Sequence, residues 1–177
     1  MSSNMEEVKK KRTARKLPKT VRPEEFKKLI TKVPKKEREV KLAFLLAYGS
    51  GLRISEVLRV YPEHIKPNSI FIPPSKNGVE RIVPLAKGWK EEFNKRLPLK
   101  INRRTLQRKF RKYSSFAKLS SLYTFHSLRH GFATRSLESG IPINQVQVLL
   151  GHSNISTTNV YVKANPLDAL KSYEDLF

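Results

Sequence analysis

The chain has 177 residues, with 36 Lys+Arg against 15 Asp+Glu, for a formal net charge of +21. That length carries one domain, or one domain with a tail, and so basic a balance points to a polyanion partner, nucleic acid first, with a merely basic ribosomal or chromatin component as the plain alternative. Zero cysteines exclude disulfide scaffolds, thiolate metal sites and cysteine nucleophiles, and no apolar run approaches the roughly 18 residues of a membrane span.

Residues 1–19 hold seven basic and two acidic side chains without an apolar period, which reads either as a flexible basic arm suited to phosphate contacts or, equally, as a disordered leader with no role. Thr20 to Glu25 reads as a helix start with Pro23 in the first turn, and the helix runs to about Lys32. Lys35 to Tyr48 is a strongly apolar helix ended by Gly49-Ser50-Gly51, and Ile54 to Val60 is a third, stopped by Pro62. Ile70-Phe71-Ile72 and Glu80 to Val83 are β-rich runs flanking Pro73 to Gly78, where Asn77-Gly78 signals a hairpin. Trp89–Leu97 and Thr105–Lys118 read as helices, followed by Ser127–Ser139, Ile143–Leu149, Ser156–Val162 and Asn165–Tyr173. The expected fold class is α+β, mainly α with one small antiparallel β-hairpin.

Between Lys100 and Arg135 there are ten Lys or Arg and no acid. Leu106, Phe110, Tyr113 and Ala117 keep an apolar face at helical spacing, which leaves Arg103, Arg104, Arg108, Lys109, Arg111 and Lys112 as a basic surface. A solvated basic face is the plain reading. Yet so many uncompensated like charges repel one another unless a polyanion is near, and double-stranded DNA is the expected partner.

Other polar residues are harder to reconcile with a simple core. Arg53 opens a helix in Gly51-Leu52-Arg53-Ile54-Ser55-Glu56, directly after an apolar helix, and Glu56 lies one turn on, placed to orient it. In His126-Ser127-Leu128-Arg129-His130 two histidines stand at i and i+4. Helical metal ligands use that spacing, but the glutamate of a metalloprotease motif is missing and Arg129 would repel a cation, so no metal is expected. Leu149-Leu150-Gly151-His152 is followed nine residues later by Tyr161. Singly, each of these is ordinary.

Together, and in this order, they resemble the tyrosine recombinase (integrase) family of phage and archaeal type. Its signature is an Arg in a G-L-R-x-S-E frame, a Lys in a β-hairpin, H-x-L-R-H, L-G-H, and a Tyr about nine residues on. Here Arg53, Lys76, His126 with Arg129, His152 and Tyr161 fill those positions, and the similarity spans roughly residues 20–165. FHSLRHGFAT and LLGHSNISTTNVYVK are the most specific segments, and Lys76 rests on its place in a hairpin alone.

The resemblance implies the catalytic-domain fold of that family and metal- and ATP-independent DNA cleavage and rejoining through a 3′-phosphotyrosine. The chemistry of the residues agrees. Two guanidiniums, Arg53 and Arg129, can clamp non-bridging phosphate oxygens and stay charged at any working pH. Tyr161 is implied as the nucleophile, and because a phenol has a pKa of about 10 it needs a base, for which His126 is the candidate. Lys76 is the expected acid for the departing 5′ oxygen, His152 a donor to a phosphate oxygen, and Glu56 a support for Arg53. Since one phosphoester is exchanged for another, no cofactor is expected.

The family commonly carries an N-terminal core-binding domain. Here only residues 1–19 precede the expected catalytic domain at 20–177, so weak site preference is expected, with recombination needing further domains or protomers assembled as dimers or tetramers on DNA. The tail from Asn165 to Phe177 is amphipathic, docking either on a neighbouring subunit, as family tails do, or on its own domain. Two other readings compete: a type IB topoisomerase-like nicking-closing enzyme, and a non-catalytic DNA-binding module. The expected setting is cytoplasmic and DNA-associated, in a host cell if the source is a virus or mobile element.

Overall fold

The structure is a computed structural model that describes residues 20–74, 80–151, 170–171 and 173–175. The basic arm, the Asn77-Gly78 turn with Lys76, and the stretch holding His152 and Tyr161, including the expected helix at Ser156–Val162, lie outside the described residues. Six α-helices, two short 3-10 segments and one two-stranded sheet are the named regular elements of the described residues.

Helix α1 (Pro23–Lys32) starts with proline at its first position, where no amide hydrogen is needed, and the Glu25 carboxylate accepts from the Arg22 amide at 2.8 Å. Helix α2 (Arg38–Gly49) is apolar around most of its circumference and is the centre of the core, with Ala43, Phe44, Leu46 and Ala47 fully buried. Its Phe44 ring meets Phe110 at 5.7 Å and Phe125 at 6.0 Å between centroids, both edge-on, the arrangement that ring quadrupoles favour. The chain leaves α2 through Gly51 at φ +69, where an added Cβ would stand 2.6 Å from the Phe132 ring. Only glycine suits both the backbone angle and the space.

Helix α3 is a single turn, Ile54–Val57, shorter than the expected run to Val60 because the chain must turn ahead of Pro62. Strands β1 (Ser69–Ile72) and β2 (Arg81–Pro84) pair antiparallel with Ile70 opposite Val83 and Ile72 opposite Arg81. Trp89–Leu97, expected as an α-helix, is instead a 3-10 segment over Glu91–Arg96, a stretch too short for a stable α-helix before Pro98.

Helix α4 (Arg103–Phe116) is capped by the Asn102 side chain, which accepts from the Thr105 amide at 2.8 Å. Its Leu106, Phe110 and Tyr113 enter the main core. Helix α5 (His126–Glu138) packs along α2, and α6 (Ile143–Leu150) ends at Gly151 in the left-handed conformation, φ +63. A second, smaller core joins Phe132, Ile141, Val146, Leu149 and Leu150 to Tyr173 of the tail, whose ring stacks on Phe132 at 5.5 Å. Among the described residues no helix is long and apolar enough to cross a membrane.

Candidate active site

One carboxylate and three guanidiniums meet where α3, β2, α5 and the end of α6 converge. Glu56 is the third residue of α3 and reaches back to its N-terminus: Oε2 accepts from the Arg53 amide at 2.7 Å, and Oε1 accepts from Arg53 Nη1 at 3.0 Å. Capping and orientation of the arginine are therefore one event, as the i, i+3 spacing requires. Arg81, entering from β2, donates Nη2 to the same Oε2 at 2.8 Å, and Arg129, on the second turn of α5, holds its Nη1 at 3.8 Å from it.

The end of α6 organises the same arginines from the other side. Arg81 Nε donates to Leu149 O at 2.8 Å, Arg129 Nη2 to Leu150 O at 2.5 Å, and Arg53 Nη2 to Gly151 O at 3.1 Å. Three successive carbonyls at the C-terminal end of the helix each take one guanidinium, and the negative end of the helix dipole lies against the cluster. Arg129 Nη1 is further anchored on Gly51 O at 2.8 Å. The left-handed glycines at 51 and 151 thus present two of the carbonyls that aim these arginines.

Charge and burial set the chemistry. The Arg81 and Arg129 side chains are 2% and 4% exposed, Glu56 11%, and Arg53 35%, so Arg53 is the one that faces solvent. Burial alone would raise the Glu56 carboxyl, but the hydrogen bond and charge of Arg81, the Arg53 amide and the Arg129 charge outweigh it and hold the group below the ordinary carboxylate value. Burial, followed by the charge of Arg53, pushes the Arg129 guanidinium down to about 9, with Glu56 opposing and Arg81 adding. Arg129 stays a cation at neutral pH, but an under-compensated one. Three guanidiniums against one carboxylate leave two net positive charges in a partly closed site, which is an anion-binding device.

His126 is the first residue of α5. It lies within a turn in which Ser127 Oγ accepts from the Thr124 amide at 3.1 Å and Thr124 O from the Ser127 amide at 2.9 Å. Its ring meets that of His130 edge-on at 4.5 Å, and burial, then the Arg129 charge, lowers the His130 pKa. Among the described residues no three His, Cys, Asp or Glu side chains gather into a group that could hold a metal ion. His126 also lines a cleft of about 240 Å3 with Leu52, Ile54, Arg103, Gln107 and Arg111, so two basic residues of α4 open onto the same surface. A larger cavity, about 770 Å3, lies elsewhere, between Phe26, Tyr48, Trp89 and Tyr173.

The structure thus brings Arg53, Glu56 and Arg129 together and sets His126 on the same helix as Arg129; Lys76, His152 and Tyr161 lie outside the described residues. On α4, Arg103, Arg104, Arg108, Arg111 and Lys112 are exposed, whereas Lys109 turns inward and its Nζ donates to Glu37 at 2.5 Å. Arg81 was missed by motif reading. The signal was present: in a strand, positions 81 and 83 share a face, and Val83 is apolar, so an arginine at 81 had to be buried and paired.

The phage integrase family model matches residues 19–167. Tyrosine recombinase XerA of Thermococcus kodakarensis is 30% identical over 194 residues, covering 98% of this chain and 68% of that relative. The chain spans about two thirds of the curated relatives it matches over most of its own length. Among solved structures, the integrase of mycobacterium phage Brujita superposes with a TM-score of 0.69 at 20% identity, over 93% of this chain and 60% of that one. The lambda integrase catalytic core superposes with a TM-score of 0.62 at 21% identity, over 80% of this chain and 96% of that one. Sequence match and shared fold agree that the chain belongs to the phage integrase family and has the fold of the tyrosine recombinase catalytic domains.

Proposed function

We propose that this chain is the catalytic part of a site-specific DNA recombinase, cutting and rejoining strands through a 3′-phosphotyrosine. The observation that carries the reading is the trio of guanidiniums on one carboxylate, with Arg129 almost fully buried yet under-compensated. A phosphodiester carries one negative charge in the ground state and approaches two as an oxygen nucleophile adds. The two net positive charges of the cluster match the second condition better than the first, so they favour the transition state.

In this reading Arg53 and Arg129 bind the non-bridging oxygens of the scissile phosphate. The Tyr161 hydroxyl attacks phosphorus, its proton passes to His126, and the bond to the 5′ oxygen breaks as Lys76 protonates it. The products are a phosphotyrosine on the DNA 3′ end and a free 5′ hydroxyl, and the reverse reaction with another 5′ hydroxyl rejoins a strand. His152 donates to a phosphate oxygen, and Glu56 holds the arginines in register.

The exposed basic residues of α4 and the basic side chains of residues 1–19 supply backbone contacts to double-stranded DNA. Residues 20–177 form the catalytic domain, and recombination proceeds in a dimer or tetramer on DNA, wherever in the cell that DNA lies. The test is a nicked suicide duplex in EDTA. The reading expects a covalent protein–DNA adduct that is absent in Tyr161→Phe; no adduct on any DNA, or one that survives Tyr161→Phe, defeats it.

A further inference from the structure

Arg81 stands outside every motif that points to the family, yet it is the most buried of the three arginines by side chain and makes two side-chain hydrogen bonds, to Glu56 and to Leu149 O. The geometry around Glu56 Oε2 explains what it does. A carboxylate oxygen accepts about two strong hydrogen bonds. Here Oε2 takes the Arg53 amide at 2.7 Å and Arg81 Nη2 at 2.8 Å, and is full. Arg129 Nη1 waits 3.8 Å from that oxygen, about one ångström beyond the Arg81 distance, and is held back by Gly51 O. Without Arg81 the nearest cation able to take the vacated position is Arg129.

We propose that Arg81 is a positioning residue for strand transfer: by occupying Glu56 Oε2 it keeps that carboxylate from capturing Arg129, whose guanidinium is thereby kept for the scissile phosphate. The inference rests on reading the cluster as a phosphate clamp. A second feature fits it. An added Cβ at Gly151 would stand 2.9 Å from Arg81 Nη1 and 3.0 Å from its Cδ, so glycine there lets the end of α6 lie against Arg81. The hydrogen bond from Arg81 Nε to Leu149 O then fixes the guanidinium at a second point beside its Nη2 bond to Glu56. Arg81 thus links β2, α3 and α6 from a position where its side chain is 2% exposed.

The test uses the full chain with Arg81→Met, close to arginine in length and lacking its charge, and Arg81→Lys, which returns a cation. Three quantities are read at a temperature where circular dichroism shows the variant folded: DNA affinity, the single-turnover rate of adduct formation, and the Arg129–Glu56 distance in a crystal structure. In Arg81→Met the expected result is DNA affinity within about threefold of wild type and a cleavage rate about 100-fold lower, the scale of a clamp group displaced by an ångström. Arg129 Nη1 should move to within about 3.2 Å of Glu56. Arg81→Lys should cleave about tenfold faster than Arg81→Met, because Glu56 again has a cation. Arg81→Met cleaving within about threefold of wild type, or a variant structure in which Arg129 stays at 3.8 Å, overturns the proposal.

Should Arg81→Met not fold, Arg81→Gln keeps a donor for Leu149 O without the charge, and the same two results decide. A wild-type chain that forms no tyrosine adduct defeats the strand-transfer reading instead, while the Arg129–Glu56 distance in the variant still decides the competition.

Discussion

Replacing Glu56 with glutamine isolates the carboxylate's contribution, since size and shape stay and only the charge and one acceptor go. In the wild type its two oxygens accept from the Arg53 amide, Arg53 Nη1 and Arg81 Nη2, and Arg129 is 3.8 Å away. In Glu56→Gln the side-chain amide must point its N–H2 group at one of those donors, and the three guanidiniums no longer share an anion. Breaking a buried ion pair by removing one partner costs about 3–5 kcal/mol. For a domain of this size that lowers Tm by about 6–20 °C. The pH profile follows from the lowered folded-state pKa of Glu56: its contribution is complete above the unfolded value of 4.5 and disappears as pH falls through the lower folded value. The gap between wild type and variant should therefore be full at neutral pH and close in acid. Added phosphate should recover part of the stability, because the uncompensated guanidiniums gain an anion. Thermal melts by circular dichroism at several pH values measure all of this. A variant melting within about 2 °C of wild type at neutral pH would show that the cluster does not depend on this carboxylate.

Three further outcomes follow from other parts of the molecule. Arg103→Ala with Arg111→Ala should weaken DNA binding across sequences and flatten the salt dependence by about 0.9 in log–log slope for each phosphate no longer neutralised, and an unchanged slope would remove these residues from the interface. Gly51→Ala should cost about 2–4 kcal/mol in chemical denaturation, from strain at φ +69 and the 2.6 Å approach to Phe132, and a neutral result would contradict the close fit. His130 has a folded-state pKa below its unfolded value of 6.5, through burial and then Arg129, so stability should fall as pH drops below that value. His130→Gln should flatten that limb in pH-dependent melts, and an identical limb in the variant would place its origin elsewhere.

Much of this was legible in the residues because it rests on short-range spacing. The i, i+3 relation of Arg53 and Glu56 implies a capped helix start that also aims the arginine, and that is what forms. The apolar period of Leu106, Phe110 and Tyr113 specifies the buried face of α4, and Ile70 and Ile72 specify the inner face of β1. What the sequence hid depends on tertiary placement. The alternation of β2 puts Arg81 on the buried face of Val83, but its partners Glu56 and Leu149 O lie far along the chain and are fixed only when β2 lies against α3 and α6. Lys109 reads as part of the basic face, yet it lies three residues after Leu106 and four before Tyr113, on the buried edge of the stripe, where Glu37 meets it. The segment Glu91–Arg96 fails as an α-helix because propensity does not separate a short 3-10 run from a longer helix.

The claim that the arginine cluster serves a tyrosine nucleophile is tested most directly by trapping wild-type protein on a nicked suicide duplex in EDTA, digesting the adduct with protease and locating the DNA-linked peptide by mass spectrometry. The account predicts a single modified residue, Tyr161, joined to the 3′ phosphate, with a free 5′ hydroxyl on the other fragment. A link to any other residue, attachment to the 5′ end, or nicked DNA with no protein attached would contradict it.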